Sequence, residues 1–276
     1  MNDKTIMYQL TETGSFCMSF VIITKEDNAI VIDGGDVPDM PLLKEYVGNR
    51  KIKAWILTHA HSDHIGGFNY LAANDEIDNV EKVYYNFPRY NFVEKYEPQD
   101  AHTLLDFNNI IDKIRGRTGI PIKGTVINID EVTIEFLYHH DEKDNLIYNA
   151  LNDSSLVFML KTPNKKVLFL GDLGPEGGDL LYYNSRDKLK CDIVQMAHHG
   201  HMCCGPEIYI AADPSACLWC CPDWLYNEPA DPDYMKYQPY RNRLRMYGTS
   251  VTRQWMDKIG IKTHYVTMNG TNKIEL

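Results

Sequence analysis

Apolar residues recur along this chain in short unbroken runs separated by polar turns. Ser19 to Thr24 and Asn28 to Ile32 are two such runs, parted by Lys25-Glu26-Asp27. They predict a hairpin whose second strand ends at Asp33-Gly34-Gly35. Leu42 to Val47 predicts a short helix, Ile52 to Leu57 a strand, and Ile65 to Ala73 the start of a helix. Glu81 to Asn86 is a further strand. Leu104, Leu105, Ile110, Ile111 and Ile114 fall mostly on one side of a helix running from Leu104 to Arg115. Two more hairpins follow: Thr125 to Ile129 with Val132 to Tyr138, and Ser155 to Lys161 with Lys166 to Leu170, the latter turning at Thr162-Pro163-Asn164. Gly178 to Asn184 and Thr249 to Ile259 predict helices, and Asp192 to Ala197 a strand. Thr263 to Met268 and Thr271 to Glu275 pair as a terminal hairpin. Hairpins alternate with helices and need two sheets to use them all, which is a mixed α/β pattern.

The 276 residues carry no repeat and no Gly-, Pro- or Ser-rich linker, so one domain over 1–276 is expected. With 44% hydrophobic residues it can build a substantial core. No stretch approaches the roughly eighteen unbroken apolar residues of a membrane helix, and Met1-Asn2-Asp3-Lys4-Thr5 leads into no signal-peptide apolar region. A cytoplasmic protein with no membrane partner is expected. Its seven cysteines are odd in number and include the vicinal pairs Cys203-Cys204 and Cys220-Cys221, which do not suggest a disulfide framework. Cys217 to Cys221 can be read as half of a zinc site, but it lies in an apolar run where cysteine behaves as a small hydrophobe. Pro222 to Tyr247 reads as an insertion rich in proline and aromatics, with Trp224, Tyr226, Tyr234, Tyr237, Tyr240 and Tyr247. A long ordered loop of this kind forms a lid or pocket wall, or packs down as a satellite cluster or subunit contact. Tyr84 to Tyr90 is a second candidate wall. No oligomeric state is legible.

The chemistry lies in Thr58-His59-Ala60-His61-Ser62-Asp63-His64-Ile65-Gly66-Gly67, between a predicted strand and a predicted helix. Two imidazoles at i and i+2 on a strand end can share one ion. An adjacent Asp and His can hold a second ion a few ångströms away, and paired divalent ions can make hydroxide from water at neutral pH. Three His and one Asp in this order do not suit a solvated loop or an apolar core.

H-x-H-x-D-H after a strand is the signature of the metallo-β-lactamase superfamily, which this sequence resembles over nearly its whole length. Three later segments look most like the hydrolase domain of bacterial competence (DNA-uptake) membrane proteins and its free-standing soluble relatives. They are Asn152-Asp153-Ser154-Ser155, Leu168-Phe169-Leu170-Gly171-Asp172 and Ala197-His198-His199-Gly200. The resemblance implies a four-layer αββα sandwich and two divalent ions, zinc or manganese. It implies that His59 and His61 bind the first ion, Asp63 and His64 the second, that Asp172 bridges them and that His199 completes the second. His198, next to it, is expected to point elsewhere because neighbours at a strand end alternate faces. Either histidine of that pair can still be the ligand. Asp63 and His198 are the candidate catalytic residues, His198 for contacting substrate or protonating the leaving group. Asp33 either supports the metal loop by accepting from a ligand histidine or is a strand-end turn residue.

Most family members carry an additional His before the bridging Asp, where this chain reads Asn152-Asp153-Ser154-Ser155. Asp153 can substitute as an oxygen ligand, or the position is vacant. His139 and His140 are nearby, with one expected to line the pocket and neither to ligate. An oxygen-richer first site moves preference toward manganese, while the imidazoles keep zinc in play. The 38 acidic and 28 basic residues give a net charge of −10. This argues against long nucleic acid, and Arg241, Arg243 and Arg245 are too few to reverse it. The expected partner is a small-molecule phosphoester, most simply a phosphodiester attacked by metal-activated hydroxide. The alternatives are hydrolysis of a thioester, lactone or β-lactam, and a non-catalytic metal-binding or sensor role.

Overall fold

The computed structural model describes residues 3–14, 16–144, 146, 148–229 and 248–276. Two seven-stranded sheets face each other. The first is ordered β14-β1-β2-β3-β4-β5-β6. Its strands are β1 (Ile6–Gln9), β2 (Ser19–Ile23), β3 (Ala29–Asp33), β4 (Ile52–Ile56), β5 (Val83–Tyr84), β6 (Thr118–Gly119) and β14 (Asn272–Glu275). The second is ordered β13-β12-β11-β10-β9-β8-β7. It holds β7 (Val126–Ile129), β8 (Val132–Tyr138), β9 (Val157–Lys161), β10 (Lys166–Phe169), β11 (Ile193–Gln195), β12 (Ala216–Trp219) and β13 (Thr263–Val266).

The layering explains the unbroken apolar runs. In β3, Ile30 and Ile32 face the other sheet, while Ala29 and Val31 face outward onto helices. Along β10, Val167 and Phe169 point inward, and Leu168 packs against the outer helices of its own sheet. Strands covered on both faces lose the polar alternation of half-exposed ones. Outside the first sheet lie α1 (Met40–Val47), α2 (Ser62–Ala73) and α4 (Ala101–Ile110). Outside the second lie α5 (Pro175–Ser185), α6 (Pro206–Ala212) and α8 (Thr249–Ile259). This is the expected four-layer αββα sandwich.

Several elements depart from expectation. The helix after the histidine loop begins at Ser62, so Asp63 and His64 stand on its first turn. The terminal hairpin does not form. Strand β13 runs parallel to β12, with Cys217 opposite His264, whereas β14 is antiparallel to β1 in the other sheet, with Met7 opposite Ile274. A one-turn 3-10 segment, Thr267–Asn269, carries the chain between sheets, and the Thr267 hydroxyl accepts the Cys221 N–H at 2.9 Å. Helix α3 (Tyr90–Tyr96) was not expected, and β5 is only two residues long. Tyr85 and Phe87, offered as a pocket wall, pack instead on Phe107, with ring centroids 4.7 and 4.9 Å away. Of the aromatic insertion, α7 (Asp223–Tyr226) is described. Tyr234, Tyr237, Tyr240, Tyr247, Arg241, Arg243 and Arg245 lie outside the described residues. All seven cysteines are buried thiols. Among the described residues no helix is long and apolar enough to cross a membrane.

Candidate metal centre

The histidine loop, Asp172 and the His198-His199 pair meet at the carboxyl ends of β4 in the first sheet and of β10 and β11 in the second. Ligand sites in open α/β sheets favour the carboxyl ends of parallel strands, and β3–β4 and β10–β11–β12 are parallel. Asp172 is central. Its Oδ2 lies 3.2 Å from His64 Nε2, 3.5 Å from His199 Nε2, and 4.0 Å from Nε2 of both His59 and His198. The peptide delivering it needs Gly171. That residue has φ 56°, and a Cβ there would stand 2.8 Å from Ser155 Oγ. The same Ser155 hydroxyl accepts the Asp172 N–H at 3.0 Å.

His59, His61, His64 and His199 each have one nitrogen committed and one turned inward. His64 Nδ1 lies 2.9 Å from Asp33 Oδ2, a carboxylate that also accepts the Thr58 N–H at 2.7 Å and the Thr58 hydroxyl at 2.8 Å. Asp33 is fully buried, so of its two expected roles the geometry shows the support of the metal loop. His199 Nδ1 donates to the Cys220 carbonyl at 2.7 Å. His59 Nδ1 meets the hydroxyls of Thr58 and Ser155 at 3.2 and 3.4 Å. The inward nitrogens, His59 Nε2 and His61 Nδ1, stand 3.0 Å apart. Ligand atoms of Asp63, His64, Asp172 and His199 all lie within 4.8 Å of one another.

This donor set fits a cation. With Nδ1 of His199 donating outward, its Nε2 lone pair faces Asp63 Oδ2 at 2.9 Å and Asp172 Oδ2. Electron-rich atoms that converge in this way require a proton or a metal between them. His64 Nε2 and Asp172 Oδ1 are buried without any hydrogen bond of good geometry, which is rare for buried polar atoms unless a ligand takes them up. The electrostatics say the same in proton terms. Burial opposes charge on His64, but Asp172, Asp33 and Asp63 outweigh it and hold its pKa well above the usual range. His199 is likewise raised against burial by Asp172 and Asp63. Burial opposes ionisation of Asp172, yet His64, His199 and His198 hold it well below the ordinary carboxylate value.

Two expectations change. His198 does not point away. The backbone leaves β11 before reaching it, and His198 (φ 48°) and His199 (φ 54°) both adopt the left-handed conformation, so strand alternation does not apply. Both rings therefore face Asp172, at a conformational cost of about 1–2 kcal/mol per residue, and such strain concentrates at functional sites. Burial pushes the His198 pKa down to about 4, and of its two expected roles a neutral ring suits substrate contact better than protonation of the leaving group. Asp153 is not among the converging ligand atoms, although its Oδ2 is buried without a partner. Its Oδ1 accepts the Gly177 N–H at 2.8 Å at the start of α5, where a helix leaves its first N–H groups unpaired. Of the other neighbours, His139 Nδ1 accepts the Lys123 N–H at 3.1 Å, and His140 is buried beside Phe92.

Three contributors were missed in the sequence. Asn152 Nδ2 lies 3.4 Å from His198 Nε2, while its Oδ1 is buried and unpartnered. Glu97, after α3, reaches His61 Nε2 at 3.1 Å. The Cys220 carbonyl has no side-chain signature at all. Outward from His199, the Phe16 ring stands 4.8 Å from His199, and the exposed Trp224 meets Phe16 edge-on at 5.4 Å.

Residues 13–202 match the family model described as Lactamase_B, the metallo-beta-lactamase superfamily. The match spans more than half of the chain, and the chain belongs to this superfamily. Among solved structures it is similar to the metallo-beta-lactamase fold protein YhfI from Bacillus subtilis, with a TM-score of 0.56 and 12% identity over 98% of this chain and 99% of that one. It is also similar to CmlA, a diiron beta-hydroxylase from Streptomyces venezuelae, with a TM-score of 0.52 and 12% identity over 100% of this chain and 55% of that one. The chain thus spans about half the length of CmlA. At these identities the likeness is one of fold. No curated protein matches the chain.

Proposed function

We propose that the chain is a metal-dependent hydrolase that binds two divalent ions and acts on a phosphoester, with a small phosphodiester favoured. His59 Nε2, His61 Nδ1 and Asp172 would hold one ion. Asp63, His64 Nε2, His199 Nε2 and Asp172 would hold the other. The observation that carries this reading is four imidazole nitrogens within 4.0 Å of a single buried oxygen of Asp172.

Bound ions of this kind acidify a water to near-neutral pKa and polarise a substrate oxygen. The chain's own residues would position and discriminate. Asn152 stands beside His198 at the edge of the cluster, and its amide N–H groups would be donors beyond the ions. A phosphoryl group presents several charged oxygens to such donors, whereas a carbonyl develops charge on one. The competence-type likeness, carried by residues 152–155, 168–172 and 197–200, supports the same choice. Phe16 and Trp224 offer a wall for the organic part of the substrate. The net charge of −10 favours a small ester over a long polyanion. Mixed nitrogen and oxygen donors suit zinc or manganese, and the diiron neighbour adds iron to the ions worth testing.

The test is hydrolysis of bis(p-nitrophenyl) phosphate, a thioester and a lactone by chelator-stripped protein reloaded separately with manganese, zinc or iron. Turnover of the phosphodiester is expected with metal, and loss of it in Asp172→Ala. Turnover of the thioester or lactone alone would make this a carbon-centred hydrolase. Tight metal binding with no turnover of any ester would mark a metal-holding sensor.

A further inference from the structure

Glu97 is 8% exposed, an unusual place for a carboxylate. Both of its oxygens are engaged. Oε1 lies 3.1 Å from His61 Nε2, and Oε2 accepts the Leu151 backbone N–H at 2.9 Å. An ionised carboxylate only accepts hydrogen bonds, so the hydrogen between Glu97 and His61 belongs to the ring. A neutral imidazole carries one N–H, and with that hydrogen on Nε2 the lone pair is on Nδ1, the nitrogen 3.0 Å from His59 Nε2. Asp100 Oδ2, at 3.8 Å from His61 Nε2, is beyond hydrogen-bond range and partly exposed, so the close contact is that of Glu97.

We propose that Glu97 is a positioning residue of the metal centre. By accepting from His61 Nε2 and from Leu151 at once, it fixes the His61 tautomer and aims Nδ1 at the ion shared with His59. The proposal rests on the metal-centre reading given above. It gives α3 and the turn after it a purpose. Leu151 precedes Asn152, so one carboxylate ties the histidine loop to the segment that faces His198. Outer partners of this kind orient a metal-binding ring and raise its basicity.

Glutamine discriminates sharply at this position. Its amide has one accepting oxygen and one donating nitrogen. It cannot accept from both Leu151 and His61. If the oxygen keeps Leu151, the amide N–H points at His61 Nε2 and drives the ring hydrogen onto Nδ1, where it blocks coordination. Alanine removes the acceptor without imposing a donor.

The tautomer can be read by long-range proton–nitrogen correlation on the metal-free full chain at alkaline pH. Zinc affinity can be read by competition with a chromophoric chelator. Wild type should show the Nε2–H form of His61. Glu97→Gln should shift the ring toward Nδ1–H and lower affinity for the weaker-bound ion by ~10–100-fold, with an unchanged circular dichroism spectrum. Glu97→Ala should lose less affinity and show mixed tautomers. Equal losses in both variants with the wild-type tautomer retained would reduce Glu97 to a prop for Leu151 and overturn the proposal. So would zinc affinity in Glu97→Gln within about twofold of wild type, short of the effect expected of an outer partner. An Nδ1–H tautomer in wild type would overturn it without any variant, even if both variants unfold. Wild-type protein that binds no metal would instead sink the metal-centre reading itself.

Discussion

The two halves of the histidine cluster are held by different kinds of partner. His64 and His199 rest their outer nitrogens on a fully buried carboxylate, Asp33, and on a backbone carbonyl, that of Cys220. Neither acceptor can rotate away or change its polarity. His59 and His61 rest theirs on two hydroxyls, which can donate or accept, and on Glu97, which arrives from a helix outside the sheets. Among the described residues the first half also has no fourth converging residue, Asp153 lying outside the set with one oxygen on the Gly177 N–H. The Asp63–His64–His199 half is therefore preorganised, and the His59–His61 half is adjustable. Two ions should load in two steps, the preorganised half first.

Asp172→Ala breaks both halves together, because its carboxylate is, among the described residues, the one candidate ligand assigned to both. Loss of metal affinity and turnover should exceed the ~10–100-fold typical of an outer partner, and both steps of a calorimetric metal titration should be affected. Survival of either step at wild-type affinity would end the bridging assignment.

Asp33→Asn separates the halves. The amide cannot accept from Thr58 and His64 as the carboxylate does, so a buried donor loses its partner at ~1–3 kcal/mol. Affinity for the tighter ion should fall by ~10–100-fold while the weaker step changes less, the Thr58 hydroxyl that donates to Asp33 being one of the two that meet His59. This is the mirror image of Glu97→Gln. If the two variants weaken the same step, the contrast between the halves is wrong.

How much of this contrast was legible in the sequence follows from where its information lies. His59, His61, Asp63 and His64 are close in sequence, after an apolar strand, and spacing alone displays them. Asp172 and His199 are distant, yet each ends its own apolar run and belongs to a short motif. Glu97 reaches His61 across 36 residues of chain, and nothing local marks it apart from Glu94, three residues earlier in α3. The orientation of His198 is not legible in the sequence because the left-handed pair at 198–199 leaves no periodic trace. The terminal hairpin was misjudged because adjacent apolar runs look the same whether they pair with each other or with opposite sheets. Pairing of β14 with β1 is decided by packing at the far end of the chain. Periodicity reports which residues are buried, not which sheet buries them.

The electrostatics give a pH test of the same comparison. His64 has a folded pKa above its ordinary 6.5, so in metal-free protein its favourable charge is fully present below that value and is lost as pH rises through the raised one. Asp172 has a folded pKa below its ordinary 3.8, so its contribution is present above that value and is lost only as pH falls through the lowered one. Metal-free protein should melt at lower temperature on the alkaline side of neutrality. An ion replaces the proton at this half, so metal-loaded protein should keep its melting temperature there. Metal affinity itself should rise with pH as His64 and His199 give up protons. Identical melting profiles with and without chelator would mean that no ion occupies the preorganised half.

The smallest effect expected is that of Asn152→Ala, and it bears on the adjustable half. Asn152 turns its amide toward His198 Nε2 and leaves its oxygen unpartnered. If that oxygen binds an ion, truncation should weaken the second metal step. If the amide serves substrate, metal affinity should be unchanged while kcat/KM for a phosphodiester falls. The second outcome is expected, because the amide nitrogen and not the oxygen faces the ring of His198. The loss should be ~10-fold, below the ~100–1,000-fold of a lone donor at a developing charge, since two ions and His198 would share that charge. A double variant with His198→Ala sharpens the point. Donors acting on the same phosphoryl oxygen should be less than additive, whereas additive losses would place Asn152 and His198 on different parts of the substrate.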